Sequence, residues 1–223
     1  MKIRIEGLYV VTPEQAGVDW LIRSVDAALR GGARIVQFRD KSGDAIRRRV
    51  QAGELAALCR RAGACFIVND DVELAREVNA DGVHLGEHDV GIATARERLG
   101  REKLIGASCY NRADLAYRAV HAGADYLAFG SFFASLTKPD AVRADVRLLA
   151  LGAAGIGIPI VAIGGISTDN AAELIAAGAD AVAVSGALFG VVDIERVARD
   201  FSRLFENSPE HSRKHHAQEP DII

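Results

Sequence analysis

The chain has 223 residues, 49% hydrophobic and only 6% aromatic. That length admits one or two domains, and α/β barrels of roughly 200–250 residues are routinely single domains. A net charge of −3 argues against a nucleic-acid binder. Cys59, Cys65 and Cys109 are odd in number and lack metal-ligand spacing, so neither a disulfide framework nor a zinc site is indicated and a reducing cytoplasm is the natural compartment. The opening MKIRIEGLYVVT lacks the apolar core and cleavage site of a signal peptide. No window approaches the roughly 18 consecutive apolar residues of a membrane span. Abundant Ala, Val, Ile, Leu and Gly suit helices packed on a buried parallel sheet.

In chain order, eight short apolar runs predict strands: GLYVVT (7–12), RIVQFRD (34–40), CFIVND (65–70), GVHLG (82–86), LIGASC (104–109), YLAFG (126–130), PIVAIGG (159–165) and AVAVSG (181–186). The longer segments between them mostly carry helical patterns. In DLAYRAVHAGAD, for example, Leu115, Ala119 and Ala122 can share one face. A short motif recurs before strands, as GGARIV, NADGVHL, GADYLAF and GADAVAV. Its Gly or Asn suits the left-handed residue that ends a helix. Eight strand–helix units with right-handed crossovers predict a single-domain (β/α)₈ TIM barrel. An open doubly wound sheet is the alternative, disfavoured by the unit count and by the lack of a G-x-G-x-x-G after the first strand. We expect residues 1–206 to form the barrel and the polar segment 207–223, with His215 and His216, to be a disordered, solvated tail.

A TIM barrel carries its site at the C-terminal ends of its strands, so the residues closing each run are the informative ones. In IVQFRDK a period of two turns Val36 and Phe38 towards the helices and sends Gln37, Arg39 and Lys41 up the other face towards the rim. Asn69, Asp70 and Asp71 close the third run. His84 and Gly86 close the fourth, followed by Glu87, His88 and Asp89. Ser108 closes the fifth, Gly130 and SFFASLTK follow the sixth, Gly164 and Gly165 close the seventh, and Ser185 and Gly186 the eighth. Singly, each has an ordinary reading: Asp70 or Asp71 as a helix N-cap, Gly-Gly as a turn, His84 as a satisfied core histidine. Together on one rim, they suggest phosphate chemistry. Asp70 and Asp89 offer hard oxygens for magnesium, which takes one or two carboxylates plus substrate phosphates. Arg39, Lys41 and Lys138 can neutralise phosphate oxygens. The glycine-rich ends of strands seven and eight suit a second phosphate. No Ser-His-Asp arrangement is evident, and no lysine lies within a run, which disfavours a Schiff base.

In these motifs the chain resembles the thiamine phosphate synthase family. The carriers are QFRDK (37–41), NDDVELA (69–75), ADGVHLGEHD (80–89), GAS (106–108), GADYLAFG with TK (123–138) and AIGGI (162–166), and the likeness runs from about Gly7 to Phe205. The resemblance implies a magnesium-dependent transferase joining 4-amino-5-hydroxymethyl-2-methylpyrimidine diphosphate to a thiazole phosphate, with release of pyrophosphate, by a dissociative mechanism. It implies that Gln37, Arg39, Lys41, Asn69, Ser108 and Lys138 contact the pyrimidine diphosphate, with Arg39, Lys41, Ser108 and Lys138 catalytic. By the same resemblance Asp70 and Asp89 hold magnesium, and Ser135, Thr137, Gly165, Val184 and Ser185 hold the thiazole phosphate. Small phosphorylated molecules are then the partners, with no nucleic acid or membrane; the sequence does not set whether the chain forms a homo-oligomer.

Two departures stand out. The loop after strand six carries Ser131 and Ala134 where the family has prolines and Ser135 where it has threonine, and Glu87 stands where glutamine is usual. Rival readings are a related thiazole tautomerase, a non-catalytic binder of phosphorylated thiamine precursors, and a sugar-phosphate epimerase. The tautomerase needs no diphosphate site, which Asn69, Asp70, Asp89 and Lys138 together would supply. The epimerase predicts acid–base carboxylates or metal-binding histidines at several strand ends, where only His84 ends a strand.

Overall fold

The structure is a computed structural model that describes residues 4–14, 16–134 and 142–207. Eight parallel strands close into a barrel in sequence order: β1 Gly7–Val11, β2 Ile35–Phe38, β3 Cys65–Asn69, β4 Gly82–Leu85, β5 Leu104–Tyr110, β6 Tyr126–Phe129, β7 Ile160–Ile163 and β8 Ala181–Val184. Pairing of β1 with β8, Leu8 opposite Val182, removes both sheet edges and excludes the open-sheet alternative. Around the strands lie α1 (Val18–Arg30), α2 (Ala45–Ala62), α3 (Val72–Glu77), α4 (Ile92–Leu99), α5 (Ala113–His121), α6 (Ala171–Ala176), α7 (Gly186–Phe189) and α8 (Ile194–Glu206). Among the described residues between β6 and β7 there is no α-helix. A 3₁₀ turn, Val146–Leu151, runs into a single π turn, Gly152–Ile156, with Gly155 at φ 102°. Gly152 and Gly155 fall within that stretch and Gly157 and Pro159 follow it, and both residue types oppose a continuous helix.

Strand alternation sorts the core into two layers. Tyr9, Val11, Ile35, Ile67, Tyr126, Ala128, Val161 and Ala183 pack on one another inside the barrel. Leu8, Val10, Val36, Phe38, Val182 and Val184 point outward, into a layer shared with Leu21, Leu55, Leu174 and Phe201 from the helices. Val36 and Phe38 therefore face the helices as expected. On α5 the buried face is Leu115, Ala116 and Ala119; Ala122 is exposed, correcting the expected stripe. The helix has ended at His121, and Gly123 N–H bonds Val120 O as the chain tightens towards β6. Asp44, Asp71 and Asp193 cap α2, α3 and α8, each accepting a backbone N–H three residues on. Such caps contribute about 1 kcal/mol each. This settles which of Asp70 and Asp71 is the cap.

The recurring motif turns each helix into its strand. Gly32, Asn79, Gly123 and Gly178 all adopt left-handed φ, at 99°, 51°, 92° and 113°. Its aspartate has a second task that periodicity does not reveal. Asp81 donates its N–H to Phe66 O at 2.8 Å, while its carboxylate accepts Phe66 N–H at 2.8 Å. Asp125 does the same with Ile105, at 2.8 and 2.7 Å. So does Asp180 with Ile160, at 2.8 Å for both bonds. Each aspartate clamps its strand to the preceding one at the N-terminal end of the barrel. Arg34 holds this place in GGARIV and keeps the backbone bond of that pair, to Leu8 O at 3.0 Å, without a side-chain clamp on that strand.

Candidate functional site

At the C-terminal end of the barrel the inward register carries Gln37 and Arg39 from β2, Asn69 from β3, His84 from β4 and Ser108 from β5 into one small pocket. Tyr9, Val11, Ala128, Val161, Ile163 and Ala183 complete the lining. A larger groove of about 740 Å³ opens at the other end, beside Arg34, Arg60, Cys65 and Lys103. There Lys103 is bonded to Asn79 Oδ1 and Asp81 is engaged by the backbone of Phe66. Size does not identify the site; the side-chain chemistry does.

Polar side chains cross the barrel interior in an unbroken chain. Gln37 Nε2 donates to Tyr9 Oη at 2.7 Å, and Tyr9 Oη lies 2.9 Å from Tyr126 Oη. Tyr126 Oη is 3.1 Å from His84 Nδ1, and His84 Nε2 is 2.9 Å from Ser108 Oγ. Gln37, Tyr9, Tyr126 and His84 are all buried. The imidazole stacks on the Tyr126 ring, centroids 5.5 Å apart. Gly106 makes room for that ring: a Cβ there would lie 2.1 Å from Tyr126 Cζ. Burial pushes the His84 imidazole down to about 4 and both phenols above their usual range. His84 is thus a satisfied core histidine, one of whose partners is a predicted site residue. A shift in register between Ser108 and Tyr110 ends β5, with Tyr110 at φ 51°.

Above this chain sit the charges. Asp70, at φ 63°, directly follows β3 and lies beside Asp89, whose carboxylate accepts Gly86 N–H at 2.7 Å. Lys41 Nζ lies 3.0 Å from Asp70 Oδ2. Burial and then the neighbouring Asp89 carboxylate push Asp70 above the ordinary carboxylate range, against the pull of Lys41. Arg39 pairs with Glu14, and its backbone N–H donates to Thr12 Oγ1 at 2.9 Å. Two of the three predicted anion-binding cations, Arg39 and Lys41, therefore rest on carboxylates. Glu87 pairs with Arg112 at 3.3 Å rather than with the Asp70–Asp89 pair. Among the described residues there is no group of three or more His, Cys, Asp or Glu poised to hold a metal.

On the far side, Gly165 turns at φ 66° and its carbonyl accepts Asn170 Nδ2 at 3.1 Å. Val184 is buried in the outer layer, so its side chain faces the helices. Ser185 starts α7, its carbonyl accepting the N–H groups of Leu188 and Phe189. Ser131, at one departure from the family pattern, donates its hydroxyl to Phe133 O at 2.8 Å. Ser135, Thr137 and Lys138 lie outside the described residues, as does all of the predicted tail except Asn207, which caps α8.

Sequence reading missed Tyr9 and Tyr126, which it took for strand core, and Glu14. For the tyrosines the signal was their place in the inward register, where a phenol hydroxyl needs a partner. The three cysteines are buried, and burial pushes Cys59 and Cys109 up to about 12, so neither is a ready nucleophile.

The family model described as thiamine monophosphate synthase matches residues 8–188. The thiamine-phosphate synthase of Thiobacillus denitrificans is 55% identical over 204 residues, 92% of this chain and 97% of that protein. That of Chromobacterium violaceum is 55% identical over 205 residues, covering 92% and 99%. Among solved structures, thiamine phosphate pyrophosphorylase from Pyrococcus furiosus superposes with a TM-score of 0.80 at 35% identity, over 92% of this chain and 96% of that one. No helix among the described residues is long and apolar enough to cross a membrane.

Proposed function

The chain belongs to the thiamine monophosphate synthase family and is a transferase of thiamine biosynthesis; on that premise we propose how its rim divides the work. Substrates are 4-amino-5-hydroxymethyl-2-methylpyrimidine diphosphate and a thiazole phosphate. Gln37, Asn69 and Ser108 hold the pyrimidine, deep in the mouth. Arg39, Lys41 and Lys138 take the diphosphate. Ser135, Thr137, Gly165, Val184 and Ser185 take the thiazole phosphate, Val184 through its main chain. Residues 1–206 are the catalytic unit and 207–223 a tail; α8 ending at Glu206 supports that boundary. The enzyme works in the cytoplasm.

Asp70 and Asp89 would hold Mg²⁺. Two adjacent carboxylates, one pushed up by burial and by the other, suit a divalent cation that the substrate's phosphates also help to ligate. When bound, it supplies positive charge against the diphosphate oxygens. Lys41 then moves from Asp70, and Arg39 from Glu14, onto phosphate. The reaction is dissociative: pyrophosphate departs, the pyrimidine methylene becomes cation-like, and the thiazole nitrogen attacks it. The barrel wall contributes positioning and stabilisation of the leaving group rather than a nucleophile.

The observation that carries this reading is the convergence of Gln37, Arg39, Asn69 and Ser108 on one pocket, beneath the Asp70–Asp89 pair. Mixing both precursors with Mg²⁺ and following thiamine phosphate tests it. We expect product and pyrophosphate in equal amounts. No product at saturating substrates would overturn the reading, and isomerisation of the thiazole precursor without pyrimidine diphosphate would replace it with a tautomerase.

A further inference from the structure

We propose that Gln37 and Ser108 are coupled in polarity through Tyr9, Tyr126 and His84, so that one offers the pocket an acceptor when the other offers a donor. As to the ligand, this rests on the function proposed above; as to the protein, it stands alone.

The coupling follows from counting protons. Four hydrogen bonds join the five side chains, and each phenol, the neutral imidazole and the serine bring one proton apiece. With Gln37 Nε2 donating to Tyr9, the Tyr9 proton has one acceptor within the chain, Tyr126. The Tyr126 proton then goes to His84 Nδ1. The imidazole proton must sit on Nε2, where it is donated to Ser108 Oγ. The serine proton has no place in the chain and is left for the pocket, while Gln37 keeps its carbonyl oxygen to offer.

Turning the Gln37 amide over reverses every bond. Tyr9 donates to Gln37 Oε1, Tyr126 to Tyr9, His84 Nδ1–H to Tyr126, and Ser108 to His84 Nε2. Ser108 then shows the pocket only lone pairs, and Gln37 shows N–H. Any mixed arrangement sets two acceptors face to face or strands a buried proton, which is costly among side chains this deeply buried. Ionisation offers no escape near neutral pH, because burial holds His84 at about 4 and keeps the phenols protonated. Tyr9, Tyr126 and His84 are thus positioning residues. A chain so built selects a ring that carries a donor and an acceptor, as an aminopyrimidine does, and disfavours one that presents two of the same kind.

The test reads the His84 tautomer in ligand-free protein by long-range ¹H–¹⁵N spectroscopy at mildly alkaline pH, with His84→Gln assigning the signal among the six histidines. Wild type should show the Nε2–H form. Gln37→Glu ends the chain in a carboxylate that only accepts, and should convert His84 to Nδ1–H across two intervening tyrosines. In a Tyr126→Phe background the same substitution should leave the tautomer unchanged. An identical tautomer in wild type and Gln37→Glu overturns the coupling, as does a switch that survives Tyr126→Phe. Should Gln37→Glu fail to fold, the losses in kcat/KM from Gln37→Ala and Ser108→Ala serve instead. They should be non-additive by about tenfold, and additive with Phe at position 126; additivity in both backgrounds overturns the coupling. The tautomer readout needs no substrate, so its failure and the failure of the turnover assay are separate results.

Discussion

At the strand starts, Asp81, Asp125 and Asp180 each meet a backbone N–H that their carboxylate accepts; at the strand ends, Asp70 and Asp89 meet each other. The two arrangements use one side chain for opposite ends. A carboxylate closed on a neighbouring strand lowers the energy of the fold. A carboxylate held beside its like raises it, and keeps a place where a cation is welcome. Charge type alone therefore says nothing about role; the partner does. The rim's cations follow the same rule. Arg47 and Arg48 hold Asp40 and Asp71 near the start of α2 and α3, at 3.0 and 2.9 Å. Arg39 and Lys41 rest on Glu14 and Asp70, from which a phosphate can draw them.

The contrast is sharpest if the two ends respond differently to the same kind of change. We expect Asp70→Asn to lower turnover by about 10²–10³-fold, the range for loss of one electrostatic contact to a transition state. Its melting temperature should stay level or rise, because a like-charge neighbour of Asp89 is gone. Near-normal turnover in the assay for thiamine phosphate would remove Asp70 from the metal site.

His84, between the two ends, should set a pH dependence of stability. Its folded pKa of about 4 lies below the 6.5 of a free imidazole, so the unfolded chain takes up the proton first as pH falls. Its contribution is complete above about pH 6.5, is lost as pH drops towards 4, and amounts to roughly 3 kcal/mol. Urea melts across that window should show wild type losing this much more than His84→Gln. Parallel slopes would contradict a neutral buried imidazole.

At the strand starts, Asp180→Ala removes the acceptor of Ile160 N–H and should cost about 1–3 kcal/mol of stability, with kcat unchanged and Asp180→Asn less harmful. A loss of kcat there would erase the distinction between the two ends.

Much of this was legible beforehand. The eight runs coincide with the eight strands to within two residues at each end, because β-branched runs bounded by glycine have few other ways to bury both faces. The left-handed positions at Gly32, Asn79, Gly123 and Gly178 were visible as residues that tolerate that conformation. So was the inward, C-terminal position of Gln37, Asn69 and Ser108 on their strands, since a strand's period of two and its C-terminal end are both local facts. Not legible were Tyr9 and Tyr126, 117 residues apart and 2.9 Å between hydroxyls, or Glu14 beneath Arg39. Nor was Ala122 outside its helix face.

The sequence by itself determined the strands, the fold class and which side chains reach the rim, because local conformation and alternation depend only on near neighbours. Only the tertiary structure decided who meets whom. Barrel closure turns the inward residues of β1, β2, β4, β5 and β6 into neighbours, and a hydrogen bond exists only when donor and acceptor come within about 3 Å. That short range makes one aspartate a clamp and another half of a charged pair, and it joins Gln37 to Ser108 through three buried rings.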